Sequence, residues 1–385
     1  MSKKAATQFV ILLGVVSLFA DVTYEGARST TGPYLAFLGA SAASVGIIAG
    51  LGEMIAYGLR FFSGYLSDAS RRYWVFMFVG YGVNLLAVPA LAIAPNWQVA
   101  AFFVLLERLG KAIRTPARDV MLTYASKELG SGKGFGLHDA LDKLGACMGP
   151  LVVAGMLSWQ GNYRLGFTIL LIPALVALSL LTVARFSYPK PEHFDPSARV
   201  AESQKFSQQA WIFMAGAALL AAGFTDFPLI AFHFARGTHL TPAWIPILYS
   251  IAMGMSALAS VTLGFLFDRF GMAVIIWVTS FTAFFSVFAF SDGFDAALIG
   301  IILWGIGIGS NDSIIKAAFS KMIPKSRLGT AFGIFNGVYG VSWFLGTALM
   351  GFLYEYSVYG LIGFSVIAQL AAIPLFLSLT KRFQL

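Results

Sequence analysis

Apolar runs of helical length follow one another along the whole chain, broken by short polar segments. A helix needs about 20 apolar residues to cross ~30 Å of hydrocarbon, and the runs meet that length. The pattern predicts twelve helices, near residues 8–34, 42–67, 73–93, 97–125, 134–158, 163–186, 208–233, 243–267, 273–291, 294–319, 328–352 and 357–380. The longest hydrophilic stretch covers residues 187–207. It reads as a linker joining a six-helix bundle over 1–186 to a second over 208–385.

The two halves echo each other. "GYLSD" at Gly64 to Asp68 returns as "GFLFD" at Gly264 to Asp268, each closing the second helix of its half. "SKELGSGKGFG" from Ser126 likewise parallels "SKMIPKSRLGTAFG" from Ser320. Parallel copies imply a pseudo-two-fold axis along the membrane normal, with a substrate site between the halves near mid-membrane.

Composition sharpens this picture: 58% of residues are hydrophobic and only 11% charged, with a mean hydropathy of +0.77. That is a polytopic all-α membrane protein with nothing left over for a soluble domain. The net charge of +8 follows from loop placement and does not point to nucleic acid. One set of connections holds Lys3, Lys4, Arg71, Arg72, Lys127, Lys133, Arg185, Lys190, Arg199, Lys205, Arg269, Lys321, Lys325, Arg327, Lys381 and Arg382; the other holds Arg164 and Arg236. By the positive-inside rule both termini are cytoplasmic, which requires an even number of spans in an inner, or plasma, membrane. The opening "MSKKAATQFVILLGVVSLFAD" has the outline of a secretory signal. Its apolar run continues toward Tyr34, so it reads as the first span. Cys147 is the single cysteine and permits no intramolecular disulfide.

These landmarks resemble the major facilitator superfamily over essentially the whole chain. The specific mark is the loop after the second helix, a G-x-L-x-D-R-x-G-R-K pattern seen as Gly64, Leu66, Asp68, Arg71 and Arg72, with Ala69 in place of the usual Arg. The second copy keeps Gly264, Leu266, Asp268, Arg269 and Gly271. The resemblance implies a gate role for these residues and a twelve-helix secondary transporter. "GACMGP", with Gly145, Gly149 and Pro150, is similar to the G-x-x-x-G-P signature of antiporters in that superfamily. The resemblance also implies that the fourth helix lines a central cavity.

That helix carries "ERLGKAIRTPARD", in which Glu107, Lys111, Arg114 and Arg118 fall at i, i+4, i+7 and i+11. They form one stripe. A charge at the bilayer centre costs about 2.5–3.5 kcal/mol on insertion scales, so the stripe faces protein or water and not lipid. Pro116 removes a backbone donor and crowds the Ala112 carbonyl, which predicts a bend. The first helix offers the complementary Asp21, Glu25 and Arg28, the second Glu53 and Arg60, and the fifth His138, Asp139, Asp142 and Lys143. At least half of these charges are expected to be structural ion pairs.

Asp21 and Glu25 lie deepest and are the candidate proton-coupling residues, with Asp226 of "GFTDF" their counterpart facing Glu25. Arg28, Lys111 and Arg114, beside Tyr24 and Glu107, are candidates for binding an anionic group, since a guanidinium fork matches carboxylate or phosphate. Asn311 and Trp343 are candidates on the opposite wall. Arg118, Asp119, Asp139 and Asp142, near cytoplasmic helix ends, join Asp68 and Arg72 in a gating role. His138 and Asp142 have the spacing of helical metal ligands but read as a satisfied polar pair. The glycines at 46, 50 and 52, 145 and 149, 305, 307 and 309, and 333 and 337 read as helix contacts.

No P-loop, Rossmann fingerprint, zinc signature or nucleophile elbow is present. The reading is therefore a non-enzymatic, cofactor-free, monomeric transporter driven by a proton or sodium gradient, exporting a small amphipathic or anionic organic solute by alternating access. A proton-coupled symporter importing an organic anion is the rival, and a membrane-embedded enzyme or lipid-handling protein the remote one.

Overall fold

A computed structural model describes residues 3–126, 131–188, 206–237, 240–324 and 328–380. Most of the expected linker lies outside the described residues, as do Lys127, Lys190, Arg199, Lys205, Lys325, Arg327, Lys381 and Arg382. The described chain is helical, with no strand. The first half runs α1 (Lys3–Phe37), α2 (Ala42–Ser70), α3 (Tyr73–Ile93), α4 (Trp97–Ser126), α5 (Ser131–Gln160) and α6 (Tyr163–Ser187). The second runs α7 (Gln208–Gly237), α8 (Trp244–Phe270), α9 (Met272–Ala289), α10 (Phe294–Lys321), α11 (Leu328–Tyr356) and α12 (Val358–Thr380). Eleven of these are long and apolar enough to cross a membrane. The twelfth, α4, has the length, 30 residues, but carries the charges.

The chain forms two compact units. Unit 1 comprises Met1–Tyr34, Ile55–Ser197 and Pro242–Ser250; unit 2 comprises Leu35–Met54, Ala198–Thr241 and Ile251–Leu385. The first turns of α2 therefore count with unit 2, and those of α8 with unit 1.

Small residues set the seams of unit 1. A Cβ on Gly145 would come within 2.9 Å of the Asp21 Cβ, and one on Gly149 within 2.9 Å of the Gly26 nitrogen. The G-x-x-x-G pair of α5 is thus the track on which α1 rides, as in other close helix pairs in membranes. Between α3 and α4 a Cβ on Gly80 would press on the Arg114 backbone. At Pro116 α4 stays helical, and the Ala112 carbonyl freed by the ring accepts a 2.7 Å hydrogen bond from Ser63 Oγ on α2. A neighbouring hydroxyl thereby satisfies the group that the proline orphans.

Unit 2 corrects the expected unbroken seventh helix. The α-helix stops at Gly223 and resumes at Phe227. Asp226 Oδ1 accepts the Phe227 N–H at 2.9 Å, and Pro228 in the first turn needs no donor partner. The carbonyls released at the break are taken up by Ser365 Oγ on Gly223 (2.7 Å) and Trp304 Nε1 on Thr225 (2.9 Å). Smaller interruptions divide α6 at Leu170 and α9 at Ala283–Phe284, and α10 makes one π-helical turn over Asn311–Ile315.

Gly46 and Gly50 seat the start of α2 on α11. A Cβ on Gly46 would stand 2.7 Å from the Thr347 carbonyl, and one on Gly50 3.0 Å from the Phe344 Cα. The Ala43 N–H, at the same end of α2, donates to Glu355 Oε1 at 3.0 Å. Gly305 and Gly309 likewise meet the backbone of α8 at Ala252 and Ser256. Gly337 corrects the expectation: nothing lies within 4 Å of a Cβ there, so that position is not a helix contact.

The repeated loop places a residue of positive φ just after each second helix. Arg71 has φ 53° and Gly271 φ 58°, seven residues after Gly64 and Gly264 respectively. The left-handed residue at a helix C-terminus is normally glycine, and an L side chain there costs about 1–2 kcal/mol.

Gly46→Val overpacks the α2–α11 seam by about 1–3 kcal/mol and lowers the thermal midpoint in detergent, whereas Gly337→Ala leaves it unchanged or higher. Arg71→Gly relieves the backbone conformation and raises the same midpoint.

Candidate functional site

The site is built on α1 and α4 of unit 1, with contributions from α3, α5 and the first turns of α8. Helical spacing puts Glu107, Lys111, Arg114 and Arg118 on one stripe, and each finds a different partner. Glu107 is buried and turns toward α3, where Asn84 Nδ2 donates to its Oε1 (2.8 Å) and to its backbone carbonyl (3.1 Å). Arg108 Nε stands 3.2 Å from the other carboxylate oxygen. This knot of two charges and an amide binds α4 to α3.

One turn on, the ion pairs cross to α1. Lys111 Nζ is 3.7 Å from Glu25 Oε1 and lies 4.1 Å from the centroid of the Tyr24 ring. The Tyr24 hydroxyl donates to Asp21 Oδ1 at 2.6 Å, and Tyr249 from α8 donates to Glu25 Oε2 at 2.5 Å. Asp21, Tyr24 and Glu25 are all buried. A lysine over a tyrosine face gains about 2 kcal/mol or more when desolvated. Tyr24 therefore joins the charge of Lys111 to the carboxylate of Asp21 without direct contact between them.

Arg114 is 1% exposed. Its guanidinium lies 4.3 Å from the Tyr81 ring centroid and 5.5 Å from that of Tyr24. Nε and Nη1 have no hydrogen-bond acceptor among the described residues. Aromatic faces hold this cation, leaving directional donors unspent.

The last member of the stripe makes a second knot. Arg118 binds Asp119 through Nε (3.0 Å) and Nη2 (2.9 Å), and its Nη1 is 3.6 Å from Asp142 Oδ2 on α5. His138 Nδ1 is 3.6 Å from the same oxygen, its Nε2 is 3.0 Å from Ser17 Oγ on α1, and Ser17 is 3.3 Å from the Tyr81 hydroxyl. Among the described residues no group of three or more His, Cys, Asp or Glu converges as a metal site would require.

The remaining candidates are dispersed. Asp68 is exposed and accepts from the Tyr73 hydroxyl at 3.1 Å; Arg71, Arg72 and Asp139 are exposed. A Cβ on Gly64 would make only ordinary contact, 3.4 Å, with the Pro116 ring. Arg28 is half-buried on α1. In unit 2, Asp268 is 3.6 Å from Lys321, and Arg269 stacks on Phe270 at 5.2 Å. Asp226, 1% exposed, sits in the α7 break. Asn311 opens the π-helical turn of α10, and Trp343 is buried against Phe224 and Tyr339.

Sequence reading missed Asn84, Tyr81, Ser17 and Tyr249. Asn84 had a signal, being the sole strongly polar side chain inside an apolar span. The other three are ordinary residues whose importance is tertiary.

Removing one partner of a buried pair strands the other charge. Arg108→Ala is expected to cost about 3–5 kcal/mol and to lower the thermal midpoint sharply; the double change Glu107→Leu with Arg108→Met recovers most of that loss.

The pattern of the Major Facilitator Superfamily matches residues 11–347 and, in a second alignment, 227–383. A protein of Mycobacterium tuberculosis, itself uncharacterised, is 37% identical over 376 residues, covering 96% of this chain and 92% of its own. An uncharacterised MFS-type transporter of Methanocaldococcus jannaschii is 26% identical over 367 residues, 90% of this chain and 89% of its own. Among solved structures, a bacterial homologue of the human lysosomal transporter Spinster, captured inward-facing and occupied, superposes with TM-score 0.77 at 13% identity, covering 100% of this chain and 98% of that one. Helical architecture, repeated loops and the match along the whole chain agree: this is a multi-pass membrane protein that belongs to the Major Facilitator Superfamily of transporters.

Proposed function

We propose that the protein is a proton-coupled antiporter that exports a small anionic or amphipathic organic solute. The observation that carries this reading is the buried acid–base cluster of Asp21, Tyr24, Glu25, Lys111 and Arg114. A carboxylate held out of water is stable either protonated or beside a cation. Exchange between those two conditions is the elementary step of coupling. Asp21, tied to Lys111 through the Tyr24 ring, is the group proposed to bind the proton, and Glu25 the group that holds Lys111 in place.

Arg114 favours an anionic cargo. It is a permanent charge with two donors that no described acceptor uses, and a guanidinium fork suits carboxylate or phosphate. Lys111, against the Tyr24 ring, and Arg28 supply further positive charge on α4 and α1. Glu107 belongs to this set as the anchor of α4. Asp226, Asn311 and Trp343 are the proposed contributions of unit 2, where apolar and aromatic side chains would receive the greasy part of the solute.

Asp68, Arg71 and Arg72 at the end of α2, Asp268 and Arg269 at the end of α8, and Arg118, Asp119, Asp139 and Asp142 on α4 and α5 are proposed as gate residues, with Gly64 at the α2–α4 contact. The halves 1–186 and 208–385 would rock about one site in an inner membrane, with both termini cytoplasmic and the chain monomeric. The G-x-x-x-G-P resemblance in α5 supports exchange over symport.

Inverted vesicles, or proteoliposomes of the same orientation, test the direction with a panel of small organic anions. A gradient acidic inside drives accumulation at least tenfold above the gradient-free level for an antiporter; accumulation driven by the opposite gradient establishes the symporter instead. Asp21→Asn abolishes gradient-driven accumulation while exchange of labelled for unlabelled solute continues. Undiminished accumulation by Asp21→Asn removes that residue from the coupling role.

A further inference from the structure

The first turns of α8 belong to the second sequence half and join the acid–base cluster. Residues 242–250 count with unit 1. Hydrogen bonds hold them, among them Tyr249 to Glu25 Oε2 at 2.5 Å and Ser250 Oγ to the Cys147 carbonyl on α5 at 2.8 Å. Tyr249 has no solvent exposure and Glu25 almost none. From Ile251 onward the helix counts with unit 2. Yet α8 runs without interruption from Trp244 to Phe270. A rearrangement that carries the body of α8 away must therefore withdraw Tyr249 from Glu25 or bend the helix beside Ser250.

We propose that Tyr249 is a positioning residue that makes the docking of α8 depend on Glu25. While α8 is docked, the Glu25 carboxylate divides itself between the Tyr249 hydroxyl on one oxygen and Lys111 on the other. When α8 lifts, the hydroxyl leaves and the carboxylate falls to its basic neighbours: Lys111 and Arg108 on α4 and Arg28 on α1, with Asp21 the acidic group on its own helix. The opening of α8 thus changes the charge balance at Lys111, the cation that Tyr24 links to Asp21. A solute or proton acting on that cluster in turn alters the grip on α8. Ser250 fixes the register of the contact from the α5 side, where its acceptor is backbone and insensitive to charge.

This deepens the reading of Glu25 as part of the coupling cluster and rests on it, so the test reads docking alone. Cys147 is the single cysteine, and Ser250→Cys places a second thiol beside it. In the full-length protein a short bifunctional methanethiosulfonate reagent is expected to join the two readily. Adding Tyr249→Phe, or Glu25→Gln, slows joining about fivefold to tenfold, as loss of a charge-assisted hydrogen bond implies. The two changes together do no more than the stronger one, because they remove the same bond. Amide exchange in the peptide covering 244–250 provides the second readout without the added cysteine: Tyr249→Phe and Glu25→Gln each accelerate it.

Cross-linking and exchange that stay at the parent rate in both variants overturn the proposal, as do effects that multiply in the double variant. Neither measurement uses a solute or a gradient. A failed transport assay with normal variant effects on docking would therefore sink the coupling role and leave the α8 contact standing, and the reverse result would do the opposite.

Discussion

Charge in a medium of low dielectric constant has to be answered within the protein, and unit 1 is organised around that requirement. Its spanning helices bring carboxylates, guanidinium groups and a lysine into buried and partly buried positions, where few waters can serve them. Each finds a carboxylate, an amide, a hydroxyl or an aromatic face. The partners come from five different helices, so the charges decide which helices must lie together. Glycines then allow the approach: Gly80 admits the Arg114 backbone to α3, and Gly145 and Gly149 admit α1 to α5.

The answers given to these charges are not equivalent. Glu107 with Arg108 and Asn84 forms a direct tie between α3 and α4, and Arg118 with Asp119 and Asp142 a direct ion-pair group between α4 and α5. The group between them is open-ended. Lys111 is shared between a carboxylate and a ring, Asp21 is reached only through the Tyr24 hydroxyl, and Arg114 keeps donors in reserve. Such an arrangement has room to change if a proton or an anion arrives, which is why coupling is proposed there, between a structural tie on one side and the proposed gate on the other. Unit 2 follows another logic. Its polar groups repair a helix break, with Trp304 and Ser365 serving the carbonyls that Gly223 and Thr225 expose.

Much of this was legible in the sequence. Apolar run length fixed the twelve helices to within a few residues, because crossing hydrocarbon imposes a length irrespective of packing. The i, i+4, i+7, i+11 spacing of Glu107, Lys111, Arg114 and Arg118 announced a common face. What spacing could not give was the partner of each charge, since that depends on rotation of neighbouring helices about their axes. The α7 break carried its own marks in Gly223, Asp226 and Pro228, but they were outweighed by the apolar run around them. Tyr249 left no mark at all: one tyrosine among fourteen becomes a site residue only because the start of α8 joins unit 1.

The central claim is that a carboxylate in the Asp21 cluster gains and loses a proton within the protein. Infrared difference spectroscopy of the purified transporter between acidic and alkaline buffer reads this directly through the carbonyl stretch of a protonated carboxyl group. The account predicts such a band at the frequency of a water-poor environment, absent from Asp21→Asn and retained in Asp68→Asn, whose carboxyl is exposed. A band that survives unchanged in Asp21→Asn, or none at any pH, would contradict it.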